Sequence, residues 1–265
     1  MIIHSKDHRS IPCARTQVAS TEHFYSPEKV KLTMRNLREI QSIALTELKK
    51  RFTLNPVSLK YPLPERSLRA LGMIKIDGEV FSSEKFSRIV LMKVYLPFYF
   101  SASSTFMLPR PELGLPLFDA ETILMGKKRI IMVDVQGRGG STVFDDSPMY
   151  GRLIKIRERY PSLLEKKVTQ LGEIQSVFSR AACQGKITEE KDEQALNLFQ
   201  EYLEVFLEMV ENATPLSGDA LEQAKKGSEE YLKTVLDHDP GVKTYKILFG
   251  KKGGVARALD IFFDR

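Results

Sequence analysis

Between Leu68 and Val135 the chain is written in short β-prone runs with turn residues between them, and no segment there is long enough for a helical crossover. The runs are Leu71 to Ile76, Ile89 to Tyr95, Phe100 to Leu108, Thr122 to Met125 and Ile130 to Val135. Asp77-Gly78, Pro109 to Pro111 and Gly126-Lys127 read as the turns that separate them. Parallel neighbours need a connection of a dozen or more residues, so these strands are expected to pair antiparallel, as a meander.

Helical grammar flanks this region on both sides. Ser26-Pro27-Glu28 has a capping residue, a first-position proline and a first-turn acid, and Val30, Leu37, Ile40, Ala44 and Leu48 then fall on one face. After a Gly-rich loop, Gly137 to Ser141, the chain reads as mainly helical. One helix is expected from Thr188 to about Glu211, with Leu196, Phe199, Leu203, Phe206, Leu207 and Val210 on one stripe, and another from Ser217 to about Leu236. Asp239-Pro240-Gly241 interrupts, and two shorter pieces run to Phe262-Phe263. Helix, strands and then helices predict an α+β fold, a three-layer α/β/α sandwich with a central, mainly antiparallel sheet.

The length of 265 residues suits one domain, here expected over residues 26–265 behind a flexible arm at 1–25, whose first sixteen residues carry Lys6, Arg9 and Arg15 against Asp7. No run of eighteen apolar residues occurs, so no membrane span is expected. Cys13 and Cys183 are too few for a disulfide framework or a zinc site, and three of the four histidines lie in the arm, so no metal is expected. Nucleotide-binding glycine patterns are missing: no Gly-x-Gly-x-x-Gly follows a strand, and Gly137-Arg138-Gly139-Gly140-Ser141 has no Lys-Ser/Thr to open a helix. A net charge of +6 favours an acidic partner, and without a groove-reading helix or clustered aromatics that partner is not expected to be nucleic acid.

Three blocks carry a resemblance. Leu108-Pro109-Arg110-Pro111-Glu112-Leu113-Gly114-Leu115-Pro116-Leu117-Phe118 resembles the Pro-rich segment of ferredoxin-dependent bilin reductases, and Ile130 to Gln136 resembles that family's next strand, which ends in Asp-hydrophobic-Gln. His238-Asp239-Pro240, Leu248-Phe249-Gly250 and Phe262-Phe263-Asp264 are similar to its C-terminal elements. The likeness covers about Leu68 to Asp264 and looks closest to the phytochromobilin-synthase and phycoerythrobilin-synthase branch.

That resemblance implies a bilin held between the sheet and the C-terminal helices, electrons supplied singly by external ferredoxin, and no tightly bound cofactor. The protein would then supply protons and orientation. The reaction implied is reduction at the A-ring diene end, from 15,16-dihydrobiliverdin to phycoerythrobilin or from biliverdin to phytochromobilin. The alternatives are an enzyme like red chlorophyll catabolite reductase or a non-catalytic tetrapyrrole carrier. A monomer in the plastid or cytoplasm is expected, engaging neither nucleic acid nor membrane.

Reducing a conjugated tetrapyrrole builds negative charge, so an acid must stand beside it with its proton retained. Asp119 and Glu121, two apart on a strand, share a face. The resemblance implies a proton donor at Glu121, with Asp119 as the alternative, and a second donor at Asp239, although Asp before Pro is also an ordinary turn opener. Met92 and Ser104 match positions where the phycocyanobilin-forming branch has a Glu and a His, which disfavours that branch. Met92, Ser104 and Phe106 are expected to contact substrate. The family's propionate-holding Arg would fall at Cys183, leaving Arg180, Lys243 and Arg110 as candidates.

Overall fold

The computed structural model describes residues 36–67, 71–138, 147–168 and 172–265. The expected arm at 1–25, the Ser26 helix opening, Val30 and most of the Gly-rich loop lie outside the described residues, as does Cys13. Leu37–Glu39 forms a 3-10 turn capped by Asn36, and α1 continues over Ile40–Arg51, burying Ile40, Ala44 and Leu48 at the spacing the sequence predicts.

Seven strands follow: β1 (Asn55–Pro56), β2 (Lys75–Ser82), β3 (Phe86–Leu96), β4 (Phe100–Pro109), β5 (Leu117–Met125), β6 (Lys128–Gln136) and β7 (Cys183–Thr188). They lie side by side in chain order, every neighbouring pair antiparallel. The antiparallel meander expected from the sequence is the sheet observed, although the run expected at Leu71 to Ile76 is replaced by a strand that starts only at Lys75 and continues to Ser82. Gly126 makes the turn into β6 with φ of 57°, a conformation that glycine adopts without the steric cost a Cβ would bring.

Asp77-Gly78 is not a turn. Both residues lie inside β2, and the chain reverses after it, where the Ser83 hydroxyl accepts from the backbone N–H groups of Lys85 and Phe86. The glycine at 78 has a packing reason instead, since a Cβ there would meet Leu63 Cδ1 at 3.3 Å and Met92 Cγ at 3.5 Å. Strand β7 was not read from the sequence, and neither was α2 (Pro148–Glu158) as a separate helix.

Helices α3 (Asp192–Glu211), α4 (Gly218–His238), α5 (Pro240–Phe249) and α6 (Lys251–Phe263) complete the fold. Strand alternation sorts side chains into two cores. On one side Ile89, Leu91, Phe118, Ala120, Ile131 and Val133 pack with α1, α2 and α3. There the Phe118 ring lies 5.7 Å from Phe199 and 5.3 Å from Phe206. On the other side Val80, Val90, Met92, Phe106 and Leu117 meet Tyr231 and Val235 of α4, Val242 and Tyr245 of α5, and Ala258 and Ile261 of α6. This is the three-layer α/β/α sandwich. None of the described helices is long and apolar enough to cross a membrane.

Candidate active site

A row of directly opposed residues crosses the sheet on the α4–α6 side: Gly78, Met92, Ser104, Glu121, Met132 and Gln184. One pleat away Phe106, Asp119 and Asp134 form the parallel row. Residues of both rows form the floor of a cavity of about 360 Å³, whose roof comes from Tyr231, Val235, Asp239, Val242, Tyr245, Leu248 and Phe262. Apart from the acids and a few neutral polar groups, the walls are apolar.

Six of the residues singled out in the sequence meet here: Met92, Ser104, Phe106, Asp119, Glu121 and Asp239 all line the cavity. Asp119 and Glu121 come from the floor because the pleat puts alternate residues of β5 on one side, with Ala120 turned to the opposite core. Asp239 comes from the roof, where it caps α5. Its Oδ1 accepts from the Val242 N–H at 3.1 Å, and Pro240 occupies the first helical position. The turn-opening role and the cavity-lining role coexist in this one side chain.

Every one of these carboxyls holds its proton more tightly than an ordinary acid. Asp119 is pushed well above the usual aspartate range, first by loss of hydration and then by the carboxylates of Glu121, Asp239 and Asp134, against a hydrogen bond from Gln136. Burial lifts Glu121 to about 7, with Ser104 opposing and Asp239 adding to the rise. Asp239 is also raised by burial, while the N–H groups of Val242 and Gly241 and the charge of Lys243 act the other way. Glu121, at about 7, can give up a proton near neutral pH.

Four participants escaped the sequence reading. Asp134, directly across from Asp119, accepts from the Ser179 N–H at 2.9 Å, the Ser179 hydroxyl, and the Val135 N–H at 2.8 Å, and burial lifts it to about 6. Gln136 and Tyr231 extend from Asp119 in a line, and the Tyr245 hydroxyl lies 2.8 Å from the Met92 sulfur. Alternation from Asp119 along the sheet and the i, i+4 stripe Tyr231–Val235 were the available signals.

The cations fall elsewhere. Arg180 is exposed, with its guanidinium 5.7 Å from the ring centroid of Tyr150, a residue of the opposite core. It is not a lining residue. Arg110 donates through Nε and Nη2 to the Ser83 carbonyl at 3.1 and 3.0 Å, tying down the β2–β3 turn. Lys243 is also absent from the cavity wall, because α5 turns Val242, Tyr245 and Leu248 inward and this places the next residue outward. Cys183 is buried in the other core with its thiol pushed up to about 12, so it is unreactive as a thiolate. Among the described residues no group of three or more His, Cys, Asp or Glu side chains is arranged to hold a metal ion.

Fold and site together define an α/β/α sandwich with a largely apolar cavity that receives acids of raised proton affinity from two opposing layers. The sequence profile of ferredoxin-dependent bilin reductases matches residues 41–261, and the chain belongs to that family. Among curated relatives, phycoerythrobilin:ferredoxin oxidoreductase of Prochlorococcus marinus (strain MIT 9312) is 21% identical over 159 residues, covering 58% of this chain and 63% of the relative. The protein of the same name from Parasynechococcus marenigrum (strain WH8102) is 25% identical over 162 residues, covering 59% and 62%. The match thus spans a little under two thirds of the length of these relatives. Tomato phytochromobilin synthase, solved in complex with biliverdin, superposes with a TM-score of 0.71 at 18% identity, over 85% of this chain and 81% of that one, and shares the fold.

Proposed function

We propose that the protein is an oxidoreductase that reduces a linear tetrapyrrole at its A-ring diene end, using electrons from ferredoxin and protons from its own acids. The products assigned are phycoerythrobilin from 15,16-dihydrobiliverdin or phytochromobilin from biliverdin. The observation that carries this reading is the convergence of Asp119 and Glu121 from the floor and Asp239 from the roof on one apolar cavity, each raised by burial above the usual carboxylate range.

Reducing one double bond takes two electrons and two protons. Ferredoxin delivers the electrons one at a time, so after each delivery the conjugated system carries added negative charge that a neighbouring acid quenches. A flat chromophore between floor and roof has acids on both faces. Asp119 or Glu121 serves one face and Asp239 the other. Met92, Phe106, Ile123 and Ile130 supply apolar wall for the pyrrole rings. Lys243 acts on Asp239 from outside the cavity wall, so a propionate reaches it only by extending past the rim at the head of α5. The net charge of +6 suits an acidic electron donor. A monomer in the plastid or cytoplasm, with no tightly bound cofactor, completes the proposal.

The test is an anaerobic absorbance time course with biliverdin or 15,16-dihydrobiliverdin and a steady supply of reduced ferredoxin, followed by product separation. Loss of one substrate with appearance of the matching product supports the assignment. A stable bound spectrum without turnover replaces it with a carrier. Turnover of a chlorophyll catabolite alone replaces it with the other reductase.

A further inference from the structure

Asp119 is held from behind. The Gln136 Nε2 donates to Asp119 Oδ2 at 3.2 Å, and the Tyr231 hydroxyl donates to Gln136 Oε1 at 2.7 Å. Gln136 is 2% exposed and Tyr231 6%. No described group donates to the other carboxyl oxygen of Asp119.

A terminal amide can present either its carbonyl or its amino group, and its neighbours decide which. Tyr231 is a buried phenol that keeps its proton, because burial and the surrounding acids Asp119, Asp239 and Asp134 all raise it, against Arg138. A phenol in that state needs an acceptor, and the Gln136 carbonyl is the one within reach. The amino end is thereby committed to Asp119. From the geometry we infer that Gln136, locked by Tyr231, is a positioning residue that occupies Asp119 Oδ2 and confines the transferable proton of Asp119 to Oδ1.

The inference deepens the proposed reductase reading and rests on it for the proton's destination. Without the phenol, the amide can rotate and offer its carbonyl to the Asp119 acid proton. That proton would then be tied to Gln136 rather than to Oδ1. Losing the N–H donor also removes a contact that favours the ionised carboxylate, so Asp119 must titrate higher. The groups acting on Asp119 are Glu121 on its own strand, Asp134 and Gln136 on β6, and Asp239 at the head of α5. Tyr231 of α4 stands behind Gln136. Phe106, opposite on β4, contributes no charge.

The experiment compares the full-length wild type with Tyr231→Phe and Gln136→Met, using Asp119→Asn to identify the Asp119 band. Infrared difference spectra of the bilin-free protein give the pH at which the protonated Asp119 carbonyl band disappears. Both variants are expected to move that pH upward by about one unit. In turnover with reduced ferredoxin and bilin, the alkaline limb of the rate profile is expected to move the same way, with lower kcat and unchanged KM. A band that titrates at the wild-type pH in both variants overturns the inference, as does a fall in turnover with no pH displacement. The infrared arm needs no substrate, so wild-type protein that turns over no bilin would sink the reductase reading while the role of Gln136 is still decided.

Discussion

Asp119 and Asp134 face each other directly across β5 and β6, on the same side of the sheet. Paired acids on adjacent strands are ordinarily unfavourable. Here one of them is satisfied by Ser179 and Val135, while Asp119, raised first by loss of hydration and then by Glu121 and Asp239, is pushed further up by Asp134. Replacing Asp134 with Asn should therefore lower the pH at which Asp119 ionises, and the alkaline limb of turnover should retreat to lower pH. The same change turns an amino group toward the Ser179 N–H, so a stability loss of about 1–3 kcal/mol is expected in urea unfolding.

The three cavity acids should separate binding from chemistry. Asp119→Asn, Glu121→Gln and Asp239→Asn keep the shape of the wall, so bilin absorbance titrations should give near-native affinity. Turnover should fall by roughly 10²–10⁴ in whichever variants remove a donor, with a reduced radical accumulating under ferredoxin. Unchanged rates in all three would end the proton-donor assignment.

Glu121 also makes a prediction for the ligand-free protein. Its folded-state value of about 7 lies above the ordinary 4.5, so between those pH values the folded protein binds more protons than the unfolded chain. Stability must therefore fall as pH rises through that window. Glu121→Gln should stabilise the fold by on the order of 2 kcal/mol at pH 8 and by little at pH 4.5, measured as urea midpoints. A Gln variant no more stable at pH 8 would mean that water relieves the carboxylate.

Phe118 tests the opposite core. It is fully buried between Phe199 and Phe206, so Phe118→Ala should cost about 3–5 kcal/mol. Its side chain points away from the cavity, so the variant should retain near-native bilin affinity at a temperature where it is folded.

What the chain disclosed by itself follows from how local each cause is. The pairing of Asp119 with Glu121 was legible because strand alternation is a rule of period two, and the capping role of Asp239 was legible because Asp-Pro acts on its own next turn. Asp77-Gly78 misled because the residue that explains the glycine, Leu63, is fifteen positions away and packs over the sheet. Strand β7 went unread because Cys183-Gln184-Gly185-Lys186-Ile187-Thr188 is neither alternating nor uniformly apolar; its Gly185 is dictated by the Leu163 carbonyl, which a Cβ would overlap. Arg180 and Lys243 were candidates as cations in place of the Arg that the resemblance puts at Cys183, and neither charge nor nearness in sequence reports which way a turn or helix is rotated. Gln136 and Tyr231 needed both the sheet register and the helix stripe at once.

The strict chain order of the sheet has a consequence for how the protein is made. Each of β2 to β6 pairs with the strand just synthesised, so the surface bearing Asp119, Glu121 and Asp134 can assemble from short-range closures as the ribosome advances. The covering helices emerge later, from residue 218 onward. Until those helices are made, Asp119 and Glu121 lack the cover that takes them out of water, whereas the Asp134 partners Ser179 and Val135 are already in the chain. The burial that raises Asp119 and Glu121 is supplied by that later-made layer, so both acids acquire their tighter hold on a proton only once α4 to α6 have docked.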